Sequence, residues 1–358
     1  MIYPNKVKNG GTVGIVSLSK GLLGEPFIQH EVKLVEERLP KVFGLKFKYM
    51  NNALAGMDFL AAHPEAKAAD LKQAFLDPEV DMVWCAIGGD DTFRTLPYLM
   101  NDEFKEIITK NPKPFFGFSD TTNNHLMFYK LGLATFYGPA VLCDIAELGP
   151  ELLPYTKAWL DKFFRGYKNI LVEPSPVWYE GRTEFGEDQV GVPAKARDEQ
   201  HGYEYLYGDG VVEGKLLGGC IESLYEMLAY TRYDDQKEIF EKYPIFPTRD
   251  EWQDKIIFLE TSEEKPTPEK LQTMLNTLAE QGIFNVAKGL IVGKPKDEKY
   301  YDEYKTIYTE LANKYNLPTV FNLNFGHAEP RMILPYGKPM RIDFGAKQIT
   351  LPDCWVLL

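Results

Sequence analysis

Cysteine and histidine are scarce in this 358-residue chain, with four of the first and five of the second. Cys85, Cys143, Cys220 and Cys354 stand far apart, with no C-x-x-C pair and no neighbouring histidine. That excludes a disulfide framework and a structural zinc site, and predicts reduced, mostly buried thiols. Positive charge is also short: 40 Lys and Arg against 52 Asp and Glu leave a formal charge of −12. Such a chain is ill suited to neutralising nucleic-acid phosphates or anionic lipid heads. No apolar run approaches the ~20 residues of a membrane span, and none follows the basic residues near the N-terminus, so a cytoplasmic protein is expected. H-E-x-x-H is missing, and Gly10, Gly11 and Gly14 precede or interrupt the first strand rather than following it, so the dinucleotide fingerprint is missing too. Neither a resident metal nor a cofactor is expected.

What is present is ample core material, 44% apolar residues, in a chain longer than one hydrophobic core usually serves. The first half alternates apolar runs with amphipathic stretches: strand 12–18, helix 26–39, helix 64–76, strand 82–87, helix 92–99, strand 115–118, helix 121–131. Continuously apolar strands between helices argue for a parallel sheet covered on both faces. From Glu173 to Tyr207 the periodicity vanishes among scattered Pro, Gly, acidic and aromatic residues, as in a long connection. Beyond it follow strands 255–259, 289–292 and 319–323, helices 267–281 and 301–315, and a terminal hairpin, 340–344 with 348–351. The reading is α/β, divided into an N-terminal domain 1–170, a connecting segment 171–208 and a C-terminal domain 209–358.

Chemistry-bearing residues stand where strands end. In Pro114-Phe115-Phe116-Gly117-Phe118-Ser119-Asp120-Thr121-Thr122 a serine occupies the handover from an apolar strand to a helix. A sharp turn there exposes the hydroxyl, and the free N–H groups of the helix start can receive an oxyanion. Thr121 replaces the second glycine of G-x-S-x-G, which argues against the α/β-hydrolase elbow. An ordinary N-cap is the alternative.

Such a serine needs a base, and the base an orienting acceptor. His30, His63 and His201 read as surface residues, and His125 projects about 120° away from position 119 around the helix. His327 instead sits in Phe325-Gly326-His327-Ala328-Glu329-Pro330, just outside a strand end, where catalytic groups of open α/β sheets gather. Glu260 closes another strand; a solvated acidic turn or a capping group is the alternative. Ala86-Ile87-Gly88-Gly89-Asp90-Asp91 follows a third strand, where paired glycines let backbone approach a ligand. Asp90 and Asp91 alone make a weak case for a metal hydrolase.

Together with Gly138-Pro139, Leu217-Gly218-Gly219, Leu259-Glu260 and Gly326-His327, these stretches resemble the LD-carboxypeptidase family of serine peptidases, in order and across nearly the whole chain. The resemblance implies a Ser119, Glu260, His327 triad, with the Gly89 and Asp120 N–H groups as oxyanion donors. It implies a Rossmann-like or flavodoxin-like N-terminal domain, a smaller C-terminal α/β domain, and a homodimer. One branch of the family releases D-alanine from murein tetrapeptides. The other, the microcin C self-immunity branch, cleaves the amide of an aminoacyl-nucleotide, and the stretches 84–91 and 131–138 resemble that branch more closely. The partner implied is thus a small-molecule or short peptide substrate. Trp178, in a Pro-rich stretch, is either a platform for an adenine ring or a tryptophan pinning a loop. A non-catalytic nucleotide-binding protein is the reading of another class.

Overall fold

The computed structural model describes residues 1–353 and 355–357, so Cys354 lies outside the described residues. In the first half, five parallel strands form in chain order: β1 (Thr12–Val16), β2 (Lys46–Tyr49), β3 (Val80–Cys85), β4 (Phe115–Gly117) and β5 (Phe136–Tyr137). Their spatial order is β2-β1-β3-β4-β5, the flavodoxin-like doubly wound arrangement, which opens a crevice at the carboxyl ends where the order reverses. β1, β3 and β4 are almost wholly buried, which explains why they read as unbroken apolar runs.

The connection is less structureless than its composition predicts. It holds β6 (Ile170–Val172), a ribbon of β7 (Val177–Tyr179) with β8 (Ala196–Asp198), and β9 (Glu204–Tyr207). The second sheet adds β10 (Val211–Cys220), β11 (Lys255–Glu260), β12 (Gly289–Gly293) and β13 (Thr319–Leu323). After β14 (Leu334–Pro335), the expected hairpin forms as β15 (Pro339–Asp343) and β16 (Gln348–Leu351). Eight strands run in the order β6-β16-β15-β10-β11-β12-β13-β9, parallel through β10 to β13.

Three strands cross the expected boundaries: β9, within the connection, edges the second sheet through β13. β6, at the head of the connection, edges the second sheet through β16, and β14 adds to the first sheet, antiparallel to β5.

Helix limits moved for local reasons. The helix expected from Pro26 begins as a 3-10 turn and runs as Gln29–Phe43, ending at Gly44 with φ +65. Residues 92–99 form a 3-10 turn, Thr92–Thr95, and one helical turn, Leu96–Leu99. An unanticipated helix, Asp102–Lys110, is capped by Asn101, whose side chain accepts from the Phe104 N–H, and it buries Phe104 and Ile108 one turn apart. Among the described residues no helix is long and apolar enough to cross a membrane.

Candidate active site

The carboxyl ends of the two sheets meet, and the strand-end residues converge there. Ser119 has φ +64, in the left-handed region, which costs a non-glycine residue about 1–2 kcal/mol. Its hydroxyl does not cap the following helix, Thr122–Leu131. Among the described residues that hydroxyl has no hydrogen-bond partner. The Ser119 N–H donates to Tyr137 Oη at 3.1 Å, and the Tyr137 hydroxyl donates to Glu260 Oε1 at 2.5 Å. Tyr137, at the end of a two-residue strand, thus ties the Ser119 backbone to the carboxylate across the two halves.

Glu260 ends β11 opposite Cys220 on β10 and is 1% exposed, which rules out a solvated turn. Its Oε2 accepts from the His327 N–H at 3.2 Å and lies 2.8 Å from His327 Nδ1. Gly326 makes that approach possible: at φ +85, a Cβ there would lie 2.4 Å from Glu260 Cγ. His327 packs edge-on against Phe118, and the buried Arg331 guanidinium stacks on Phe118 and donates to Asp144 Oδ1 at 2.7 Å.

His327 Nε2 makes no hydrogen bond to Ser119 among the described residues. It lies 3.0 Å from Glu263 Oε2, whose side chain is 67% exposed. Burial opposes charging the imidazole, but Glu260 and Glu263 outweigh it and push the pKa of His327 up to about 10. The hydrogen bond to His327 holds the Glu263 carboxyl down at about 2, although burial works the other way. The pair is therefore ionised at neutral pH, with His327 Nε2 engaged by Glu263.

Gly89 follows β3 with φ +152, a conformation open essentially to glycine alone. A Cβ there would come within 2.3 Å of Ser19 Oγ. Gly89, Ser119 and Asp120 share the wall of a small cavity of about 40 Å³. Gly89, Ser119 and Glu263 also border a larger one of about 540 Å³, walled by Leu22, Ile87 and Phe118, among others. In that larger cavity Arg182 pairs with Glu147 and Lys296 with Glu329, whereas Lys20 has no ion pair among the described residues. Burial, only partly offset by bonds from the Thr92 N–H and the Ser19 hydroxyl, raises the Asp120 carboxyl to about 6.

The other candidates are placed as follows. His125 is buried, 2.9 Å from Gly117 O and 2.8 Å from Thr135 Oγ1, and burial drives its pKa down to about 3. His30, expected at the surface, is 8% exposed with Nε2 2.9 Å from Phe185 O; the apolar face of its helix carries it inward. Asp91 is held by buried Lys67, both oxygens at 2.8 Å, so its charge is already answered. Cys220 Sγ lies within 4.8 Å of Glu260 and His327 ligand atoms. Burial raises that thiol well above its ordinary pKa, and it donates to Glu222, so the trio is a poor metal-ligand set. Trp178 is half-buried with Lys294 Nζ 5.3 Å from its ring centroid, and it is not among the residues lining either cavity.

Known proteins share this architecture. Residues 13–138 match the LD-carboxypeptidase N-terminal domain and residues 213–342 the LD-carboxypeptidase C-terminal domain. The crystal structure of an MccF-like protein from Streptococcus pneumoniae in complex with AMP is 46% identical, with TM-score 0.89, and covers 95% of this chain and 98% of its own. The microcin C7 self-immunity protein MccF of Escherichia coli is 26% identical over 315 residues, 86% of this chain and 84% of its own. A probable murein peptide carboxypeptidase of Bacillus subtilis is 26% identical over 354 residues, 97% of this chain and 93% of its own. The chain is accordingly a serine peptidase, a hydrolase of the two-domain α/β type. It belongs to the LD-carboxypeptidase family.

Proposed function

We propose that this enzyme hydrolyses the amide bond of an aminoacyl-nucleotide of microcin C type, with Ser119 as nucleophile, His327 as base and Glu260 as its orienting acceptor. The observation that carries the reading is the buried Glu260–His327 pair, 2.8 Å apart, at the strand ends beside an unpartnered serine hydroxyl. Glu260 on Nδ1 fixes the tautomer that leaves Nε2 free to take the serine proton once Glu263 swings aside, and it stabilises the imidazolium that results. The alkoxide attacks the amide carbonyl, and the Gly89 and Asp120 N–H groups hold the oxyanion; losing one such donor costs about 3 kcal/mol of transition-state stabilisation. The imidazolium then protonates the departing nitrogen, and water releases the acyl group from Ser119.

The larger cavity supports a nucleotide leaving group, because it is roomy, has apolar walls and carries an unpaired lysine, and because a relative 46% identical is described in complex with AMP. The murein reading draws on the Bacillus subtilis relative, which matches over 97% of this chain; there D-alanine would be the leaving group.

The test is hydrolysis of an aminoacyl sulfamoyl adenosine and of a murein tetrapeptide by the wild type and by Ser119→Ala. Turnover of the adenosine compound, with a loss of about 10³-fold or more in the variant, is the expected outcome. Near-wild-type hydrolysis by Ser119→Ala would sink the triad, and turnover of the tetrapeptide alone would sink the nucleotide reading.

A further inference from the structure

Three buried polar residues stand behind the site without lining either cavity. Lys67, Asp91 and Ser19 are 1%, 8% and 4% exposed. They come from separate segments: Lys67 from the helix Pro64–Leu76, Asp91 from beyond β3 and Ser19 from beyond β1. The crevice at the carboxyl ends of the first sheet brings them together. Lys67 Nζ donates to both oxygens of Asp91 at 2.8 Å. The Ser19 hydroxyl donates to Asp120 Oδ2 at 2.7 Å and lies 3.2 Å from Asp91 Oδ1. A buried ion pair often stabilises a fold no better than apolar packing of the same volume. What this one adds is direction: with Asp91 neutralised by Lys67, the single hydroxyl proton of Ser19 goes to Asp120.

These contacts end on the two segments that present the Gly89 and Asp120 N–H groups. Asp120 Oδ2 also accepts from the Thr92 N–H at 2.9 Å, so the Asp120 side chain ties its own backbone to the segment that follows Gly89. Asp120 has no ion pair among the described residues; its remaining side-chain donor is neutral too, Asn123 Nδ2 at 2.8 Å. Gly88 and Gly89 are wedged between the anchors. A Cβ on Gly88 would lie 2.8 Å from Ser119 Cβ, and one on Gly89 only 2.3 Å from Ser19 Oγ and 3.0 Å from the Lys20 nitrogen. The Lys20 N–H in turn donates to Gly88 O at 3.3 Å. Ser19 thus touches both segments at once, from outside the space a substrate fills.

We infer that Ser19, Asp91 and Lys67 are positioning residues of the hydrolytic reaction, which fix the Gly89 and Asp120 N–H groups relative to each other without touching substrate. The inference rests on the hydrolase reading above and deepens it. Oxyanion donors act when charge develops on the carbonyl oxygen, so misplacing them slows the chemical step and leaves ground-state binding alone. A misplacement of about 1 Å is enough to cost ~10²-fold in rate.

The experiment measures kcat and KM on the aminoacyl sulfamoyl adenosine and the murein tetrapeptide, with thermal unfolding of each protein alongside. It compares the wild type, Ser19→Ala, and a double variant, Lys67→Met with Asp91→Asn, which removes both charges together. Ser19→Ala should lower kcat about tenfold to a hundredfold on whichever compound is accepted, short of the ~10²–10³ lost with a whole donor. Its KM should stay within about twofold, and the double variant should show the same split. An unchanged kcat in either folded variant, or a loss carried by KM, overturns the role and leaves the hydrolase reading standing. No turnover of either compound by the wild type overturns the hydrolase reading and the role with it. If one variant unfolds below the assay temperature the other decides; if both do, the network is structural and the role fails.

Discussion

Replacing Glu263 by glutamine keeps the shape of the side chain and removes a negative charge 3.0 Å from His327 Nε2. At that separation two unit charges attract by about 5.5 kcal/mol at an effective dielectric of ~20 and by about 1.4 kcal/mol in water. The Glu263 side chain is 67% exposed, which puts the interaction near the aqueous end. One pKa unit corresponds to 1.36 kcal/mol, so Glu263→Gln should bring the imidazole down from about 10 by about 1–2 units.

The sign follows from the role. A base accepts a proton only when Nε2 is unprotonated, so a raised pKa withholds the base at neutral pH. Activity in the wild type should climb as pH rises toward 10, and the variant should reach its plateau about one to two pH units earlier. The assay is kcat/KM against pH at constant ionic strength, which reports the free enzyme. Near neutral pH the variant should be faster, by about tenfold for every pH unit that its acid limb moves down. Added salt should narrow the gap, because the charge removed is exposed. Superimposable acid limbs would refute the reasoning, since Glu263 would then not hold the imidazolium in solution.

Tyr137→Phe leaves the Ser119 N–H and one Glu260 oxygen without their partner, a loss of about 1–3 kcal/mol; kcat should fall about tenfold with the fold retained, and an unchanged kcat would show that the bridge does not position the site. Gly326→Ala puts a Cβ 2.4 Å from Glu260 Cγ at φ +85, so Glu260 must move and kcat should drop about a hundredfold or more; a fully active alanine variant would contradict the packing. His125 is held neutral, with its pKa lowered to about 3. Its contribution to stability is present above the unfolded value near 6.5 and is lost as pH falls toward 3, at about 1.4 kcal/mol per pH unit. Urea unfolding at about pH 7 and pH 4 should therefore show a smaller acid loss for His125→Gln than for the wild type, by about 3 kcal/mol; equal losses would mean the imidazole titrates freely.

The strands that carry the site were legible because burial on both faces writes an unmistakable apolar run: β3, β4, β11 and β13 announce themselves, and the residues just past them mark the sheet's carboxyl edge. Ser119, Glu260, His327 and Gly89 stand out that way as candidates, and the order of their motifs supplied the family. The residues that tie them together were not. Tyr137 ends a strand of two residues, too short to have a period. Glu263 stood in an acidic run that reads as a solvated turn, and only the fold turns one of its carboxylate oxygens onto a histidine. Arg331 lies in a loop, where nothing local marks a guanidinium for burial on Phe118 and Asp144. The connection hid β6 and β9 for a related reason: both are sheet edges, and edge strands do not need the apolar alternation that makes a central strand visible.

The pairing of β14 with β5 has a temporal consequence. Translation delivers Ser119 and Tyr137 early, but the strand that closes the sheet edge beside Tyr137 comes from Leu334 and Pro335, after both Glu260 and His327 have been made. A nascent or prematurely terminated chain ending soon after His327 carries all three residues of the proposed triad and still has an open strand edge next to the tyrosine that joins them. The edge of the first sheet beside Tyr137 is therefore closed only by residues made after the whole of the proposed triad.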